Sequence, residues 1–242
     1  LIPEIFSLGL DRNKTKIFIE SEYPQIYNFA FQISKYMTHG YVKSVFFFFS
    51  LVNVGQIFYR GAVQVAHILL PQLPEYGGPK ITVIPVGIDQ HPYILLARDV
   101  AKKLGMIPPA EIIFRFQPSL KNPSEKMSGS KPETAIYLND DLEQVKKKIQ
   151  TAITGAVSSL EGHRKFGAVP EACSVFTLLK YHCLDSELVD SSYKQYAKGK
   201  LGVRELKESV TMIILALLKE ITQKTDAKNV AYLDKQLTSI TN

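Results

Sequence analysis

The stretch that most constrains this chain is a β-branched run that stops at a glycine and passes directly into a helix start. Residues 81–86, Ile-Thr-Val-Ile-Pro-Val, lack the alternation of a half-exposed strand and read as a buried parallel strand. Gly87 ends the run, and Pro92 opens a helical pattern that continues to Leu104. Parallel strands need crossover segments packed on the sheet, so an α/β layer is predicted. The preceding sequence follows the same alternation. Residues 16–20 read as a short strand, Pro24 opens a helix through Met37, and Thr38 caps the next one. Residues 57–70 are apolar on nearly every face, as in a helix buried in a larger core, and Pro71 and Pro74 end it.

The character changes past the middle of the chain. Helical patterns occupy 140–153, 170–183, 185–197, 203–223 and 226–238, without a convincing strand. An α/β layer over 1–138 followed by an all-helical module over 139–242 is therefore expected. Between them, 118–132 contains three prolines and is too irregular for a regular element. Residues 1–10 show helical spacing up to Gly9 with no capping residue ahead of them, so the chain is expected to begin inside a helix of a longer protein.

Composition excludes several classes. With 45% hydrophobic and 21% charged residues, the chain is neither mainly disordered nor a cationic tail. Its longest apolar runs, 45–49 and 212–218, fall far short of the roughly 20 residues of a membrane span. The net charge of +6 is spread over both halves and does not by itself establish nucleic-acid binding. Cys173 and Cys183 are the two cysteines. Across a helix they stand about 15 Å apart, beyond disulfide reach. With no C-x-x-C pair, no zinc ligand set and no signal-like start, a cytosolic chain with buried thiols is expected.

Two constellations carry chemistry. Gly87-Ile88-Asp89-Gln90-His91-Pro92 lies where open α/β sheets bind ligands, at the carboxyl end of a strand. A glycine admits close approach, an aspartate accepts from ribose hydroxyls, and a glutamine amide offers a donor and an acceptor. The plainer reading makes Asp89 a helix cap. Lys126-Met127-Ser128-Gly129-Ser130, followed by Lys131, suits a polyphosphate through mobile ammonium groups and hydroxyl donors. The plainer reading is a solvated basic loop.

The two motifs in this order resemble the class I aminoacyl-tRNA synthetases, in particular the tryptophanyl branch in its archaeal and eukaryotic form. The resemblance rests on 55–71 (GQIFYRGAVQVAHILLP), 83–105 (VIPVGIDQHPYILLARDVAKKLG), 126–140 (KMSGSKPETAIYLND) and 161–182 (EGHRKFGAVPEACSVFTLLKYH). It implies a Rossmann-like catalytic domain, of which 1–138 is the C-terminal part, and a helical anticodon-binding domain over 139–242. It also implies that tryptophan is activated with ATP, as its Mg2+ complex, and then transferred to tRNA(Trp). By that resemblance Gln64 and Gln90 hold tryptophan, Gly87 and Asp89 lie against the ATP ribose, Met127 approaches the adenine edge, and Lys126, Ser128 and Ser130 hold the phosphates. A cytoplasmic homodimer is the usual family form.

The chain departs from the family pattern in three places. Gly129 stands where the family loop has alanine or lysine, which loosens the loop. The run Phe46-Phe47-Phe48-Phe49 is expected to expose at least one ring, because four consecutive aromatics cannot face one core. The family's His-x-Gly-His signature is not found, so these 242 residues alone are expected to lack aminoacylation activity. The competing readings are a tyrosyl enzyme and a noncatalytic synthetase-like module that binds RNA or protein. Of the histidines, His67 is expected in the core, His91 is a candidate phosphate contact, and His163-Arg164-Lys165 reads as a basic loop.

Overall fold

The structure, a computed structural model, describes residues 7–11, 13–17, 19–45, 53–157 and 159–224. They form two compact units, one within Ile17–Arg115 and one beginning at Phe116 that also takes in the N-terminal residues up to Lys16. The units part at 115/116, ahead of the 138/139 boundary drawn from the sequence. The irregular segment packs with the helices that follow it: Ile153 N–H donates to the Leu120 carbonyl (2.8 Å) and Ser174 Oγ donates to the Ser119 carbonyl (2.7 Å).

In the first unit, α1 (Gln25–Ser34) follows Pro24, and α2 (His39–Val45) is capped by Thr38, whose Oγ1 accepts from Tyr41 N–H. A continuous helical rod comes next. It comprises α3 (Val54–Ile57), which a reciprocal Asn53–Gln56 capping box starts, a π-helical stretch Phe58–Val63, and α4 (Gln64–Leu69). The 3-10 turns at Leu70–Gln72 and Pro74–Tyr76 end it. Strand β1 (Val83–Gly87) then leads through a 3-10 turn, Ile88–Gln90, into α5 (His91–Leu104), and strand β2 (Ala110–Phe114) returns parallel to β1 with Val83 opposite Ala110 and Gly87 opposite Phe114. Gly105 stops α5 in a left-handed conformation (φ +68°), and Met106 N–H closes back on the Ala101 carbonyl.

The core of this unit joins Ile26, Phe29 and Ile33 of α1, Val65 and Leu69 of α4, and Ile94, Ala97 and Val100 of α5. Gln72 is 1% exposed and uses its amide as a strand would, donating to and accepting from the backbone of Ile107 (2.6 and 2.9 Å). That satisfied pair fixes the approach to β2.

Several expectations need correction. Residues 16–20 form no strand in the described residues; a 3-10 turn begins at Glu20. β1 is parallel as expected but not buried: Val83 is 51% exposed, and Ile112, Ile113 and Phe114 of β2 are also exposed. With two strands among the described residues, little sheet face is covered. β2 was not read from the sequence. The Phe46–Phe49 run and 226–238 lie outside the described residues.

The second unit is helical, as expected. Asp141 caps α6 (Leu142–Gln150), Ser159 caps α7 (Leu160–Phe166), Cys173 Sγ accepts from Phe176 N–H at the start of α8 (Ser174–His182), and Asp185 caps α9 (Ser186–Ala197). The long α10 (Val203–Lys224) buries Leu206, Val210, Ile214 and Leu218 on one stripe against α6 and α8. α7 replaces the loop expected around His163, which is 2% exposed and bonds the Leu201 carbonyl through Nε2 (2.9 Å), so only Arg164 and Lys165 remain outward. Gly199, at φ +68°, passes so close to the His163 carbonyl that a Cβ there would lie 2.1 Å from its oxygen.

Candidate functional site

In the first unit, Gly87 is the last residue of β1, in ordinary extended geometry, and it hands the chain to the turn bearing Asp89 and Gln90. Asp89 is exposed and Gln90 half-buried. The plainer role for Asp89 draws no support from the caps: Gly87 and Gln90 occupy the N-cap positions of the turn and of α5, and neither carries a side-chain cap bond. Gln64 is the first residue of α4 and half-buried. Neither Gln64 nor Gln90 gives its side-chain amide to another described residue, which leaves donors and acceptors for a ligand.

Tyr93 stands on the first turn of α5, just after the strand-end turn. Burial raises the pKa of its hydroxyl, Arg60 opposes the shift and Asp89 adds to it, so a cation from the π-helical stretch and the anion of the strand-end turn both act on one phenol. Arg60 and Tyr93 were missed by sequence reasoning; an arginine one turn before Gln64 and a tyrosine one turn after Asp89 were the available signals.

Below this turn, β2 and α5 are tied by a carboxylate. Glu111, with its side chain 8% exposed, lies 3.0 Å from Arg98 and 3.0 Å from His91 Nδ1 through either oxygen. Arg98 also donates through Nε to the Pro109 carbonyl (2.9 Å). His91, the candidate phosphate contact, therefore spends Nδ1 on Glu111. His67 is not a core residue: it is half-buried and pairs with Glu20 (3.5 Å).

In the second unit the Lys126 loop is pinned at its base. Ser119 N–H donates to the Glu125 carbonyl (2.7 Å), Met127 N–H donates to the Gln117 carbonyl (2.9 Å), and Pro118 bridges Lys126 in antiparallel fashion. Beyond the pins, Ser128 Oγ and Ser130 Oγ are 2.9 Å apart, and Tyr137 OH donates to the Gly129 carbonyl (2.9 Å). The Lys126 ammonium lies 5.3 Å from the centre of the Phe116 ring, and Lys131 sits 3.9 Å from Glu125. A cation and two paired hydroxyls on one exposed loop can receive phosphate oxygens. The expected residues are thus grouped as Gln64, Gly87, Asp89 and Gln90 in one unit and Lys126, Met127, Ser128 and Ser130 in the other.

The family described as tRNA synthetases class I (W and Y) matches residues 1–219. Tryptophan–tRNA ligase of Methanocaldococcus jannaschii is 40% identical over 95% of this chain and 63% of its own length, and that of Methanopyrus kandleri is 36% identical over 90% and 58%. The crystal structure of tryptophanyl-tRNA synthetase from Aeropyrum pernix K1 superposes with a TM-score of 0.84 at 29% identity, covering 97% of this chain and 64% of that one. The chain spans about three-fifths of the length of the curated relatives it matches.

Proposed function

The chain belongs to the class I tRNA synthetases of the tryptophan and tyrosine group, and on that premise we propose that the protein works as a tryptophan–tRNA ligase, activating tryptophan with MgATP and passing it to tRNA(Trp). The observation that carries the reading is the carboxyl end of β1, where Gly87 and the turn holding Asp89 and Gln90 leave the sheet beside the start of α5. Gln64 and Gln90 hold the amino acid, Gly87 and Asp89 face the ribose of ATP, and Met127 faces the adenine edge. The tryptophan carboxylate attacks the α-phosphorus in line. The bond from that phosphorus to the oxygen bridging it to the β-phosphate breaks, and pyrophosphate leaves with its electron pair. Lys126, Ser128 and Ser130 meet the charge gathering on the departing group. Because no covalent enzyme intermediate is required, the protein contributes position and electrostatics. Mg2+ enters on the ATP phosphates and neutralises part of their charge.

The helical unit is assigned to tRNA. A groove of about 1330 Å³ there is lined by Lys146, Arg164, Lys200, Arg204 and Lys207 with Glu205 and Glu208 among them, and the excess of cations suits a phosphate backbone. The reading carries with it a cytoplasmic homodimer. Among the described residues no helix is long and apolar enough to cross a membrane. ATP–pyrophosphate exchange by the native full-length polypeptide, with tryptophan and tyrosine offered separately, tests the assignment. Exchange that depends on tryptophan is expected, and dependence on tyrosine would overturn it.

A further inference from the structure

One carboxylate lies against the helical rod on both sides of Gln64. Glu20, on the 3-10 turn Glu20–Glu22, accepts through Oε1 from Tyr27 OH (3.0 Å) and from Tyr59 OH (3.3 Å), and the two hydroxyls are themselves 3.3 Å apart. Its other oxygen lies 3.5 Å from His67 Nε2. Tyr59 belongs to the π-helical stretch before Gln64, and His67 to the α4 turn after it. Tyr27, on α1, anchors the carboxylate to a helix outside the rod.

The geometry matters because of what a π-helical stretch does. It takes in an extra residue per turn, so every side chain after it is rotated about the axis relative to a continuous α-helix. The direction of Gln64 is thus set at the junction of Val63 and Gln64. Relaxation of Phe58–Val63 to α geometry would turn Gln64 to another face. A carboxylate that accepts from Tyr59 and lies 3.5 Å from His67 Nε2 ties the two turns at one relative rotation, with Gln64 between them.

We propose that Glu20 is a positioning residue for tryptophan, acting through Tyr59 and His67 to hold Gln64 in the direction that the π-helical stretch gives it. The proposal rests on the reading of Gln64 as a tryptophan ligand. The test is ATP–pyrophosphate exchange by the native full-length polypeptide, in a cycle of Glu20→Ala, Gln64→Ala and the double variant. The tryptophan KM of Glu20→Ala should rise about fivefold, which is the worth of a lost pair of modest hydrogen bonds, with the ATP KM unchanged. In the Gln64→Ala background the same substitution should add less than about twofold, because the side chain it positions is gone. Glu20→Gln keeps an acceptor oxygen for the hydroxyls and should stay within about twofold of the parent. Tyr59→Phe removes one hydroxyl only, should raise the tryptophan KM about twofold, and carries the test if Glu20→Ala fails to fold.

A full fivefold effect of Glu20→Ala in the Gln64→Ala background, or an equal rise in the ATP KM, would overturn the clamp. Gln64→Ala raising the tryptophan KM while Glu20→Ala and Tyr59→Phe leave it alone would remove the clamp and spare the ligand assignment. A tryptophan KM unmoved by Gln64→Ala would remove both.

Discussion

Removing the carboxylate at Glu111 should loosen the strand-end turn from below. Its side chain is 8% exposed and meets two donors at 3.0 Å, His91 on the first turn of α5 and Arg98 two turns further on. A hydrogen bond to a charged group contributes about 1.5–3 kcal/mol, so two such partners set a ceiling of about 3–6 kcal/mol. Both partners are about one-third exposed, at 36% and 31%, and recover water when the carboxylate is gone. That rehydration lowers the net loss to about 2 kcal/mol, between an exposed pair and a buried one. Glu111→Gln, which keeps one acceptor oxygen, should lose about half of that. Urea unfolding of the parent, Glu111→Ala, Arg98→Ala and the double variant measures the coupling, expected at about 1 kcal/mol or more. Exchange kinetics on the same proteins should show a higher tryptophan KM for Glu111→Ala, since Gln90 directly precedes His91. Additivity within about 0.3 kcal/mol together with an unchanged tryptophan KM would refute the reasoning.

Lys126→Ala should lower the kcat for adenylate formation by about 100-fold with little change in the tryptophan KM, because its interaction grows as pyrophosphate departs; pre-steady-state adenylate formation checks it, and a change confined to tryptophan affinity would contradict the role. A Cβ at Gly129 would meet nothing within 4 Å, so Gly129→Ala should be tolerated, stabilise the loop by about 0.4–1 kcal/mol and leave exchange active, as thermal melting and kinetics on one preparation would show. Lys207 donates to the carbonyls of Gln150 and Ala152 at the end of α6, and burial lowers its pKa below the ordinary lysine value. Between the lowered and the ordinary pKa the unfolded chain binds more protons than the folded one, so this group adds stability as pH rises through that window. Lys207→Met should remove that increment, read as the difference in urea midpoints between parent and variant from pH 8 to 10.5.

The parts of the fold legible in the sequence are those whose signals are local. The helix predicted from Pro92 to Leu104 forms as His91–Leu104, because a proline start, an apolar stripe and a glycine stop all act within one turn of their target. The parts that were not legible depend on distant partners. Residues 16–20 carry a short apolar run of the kind strands use, but pairing needs a neighbour that sequence spacing cannot supply. β2 escaped because Glu111 interrupts its apolar run, and that charge is tolerated only through Arg98 and His91. The seven-residue α7 contains Gly162 and three basic side chains, a composition that reads as loop; the Ser159 cap and the inward His163 secure it. The site divides in the same way. The motifs carrying Gln90 and Lys126 are consecutive residues, whereas the influence of the Arg60 charge on Tyr93 and the Glu20 cluster join positions far apart in the chain.

The β1–β2 pair has a kinetic consequence. Val83 pairs with Ala110, so the strands cannot zip until the whole of α5 has been traversed, and closure of that loop comes before any ladder bond forms. α5, whose backbone hydrogen bonds are local, should be the earlier structure in refolding. Until the strands meet, the apolar Ile112-Ile113-Phe114 stretch is an unpaired, sticky segment, and it remains exposed afterwards. Yield on refolding should therefore fall with protein concentration, and dilute, cold refolding should favour the paired state over aggregates.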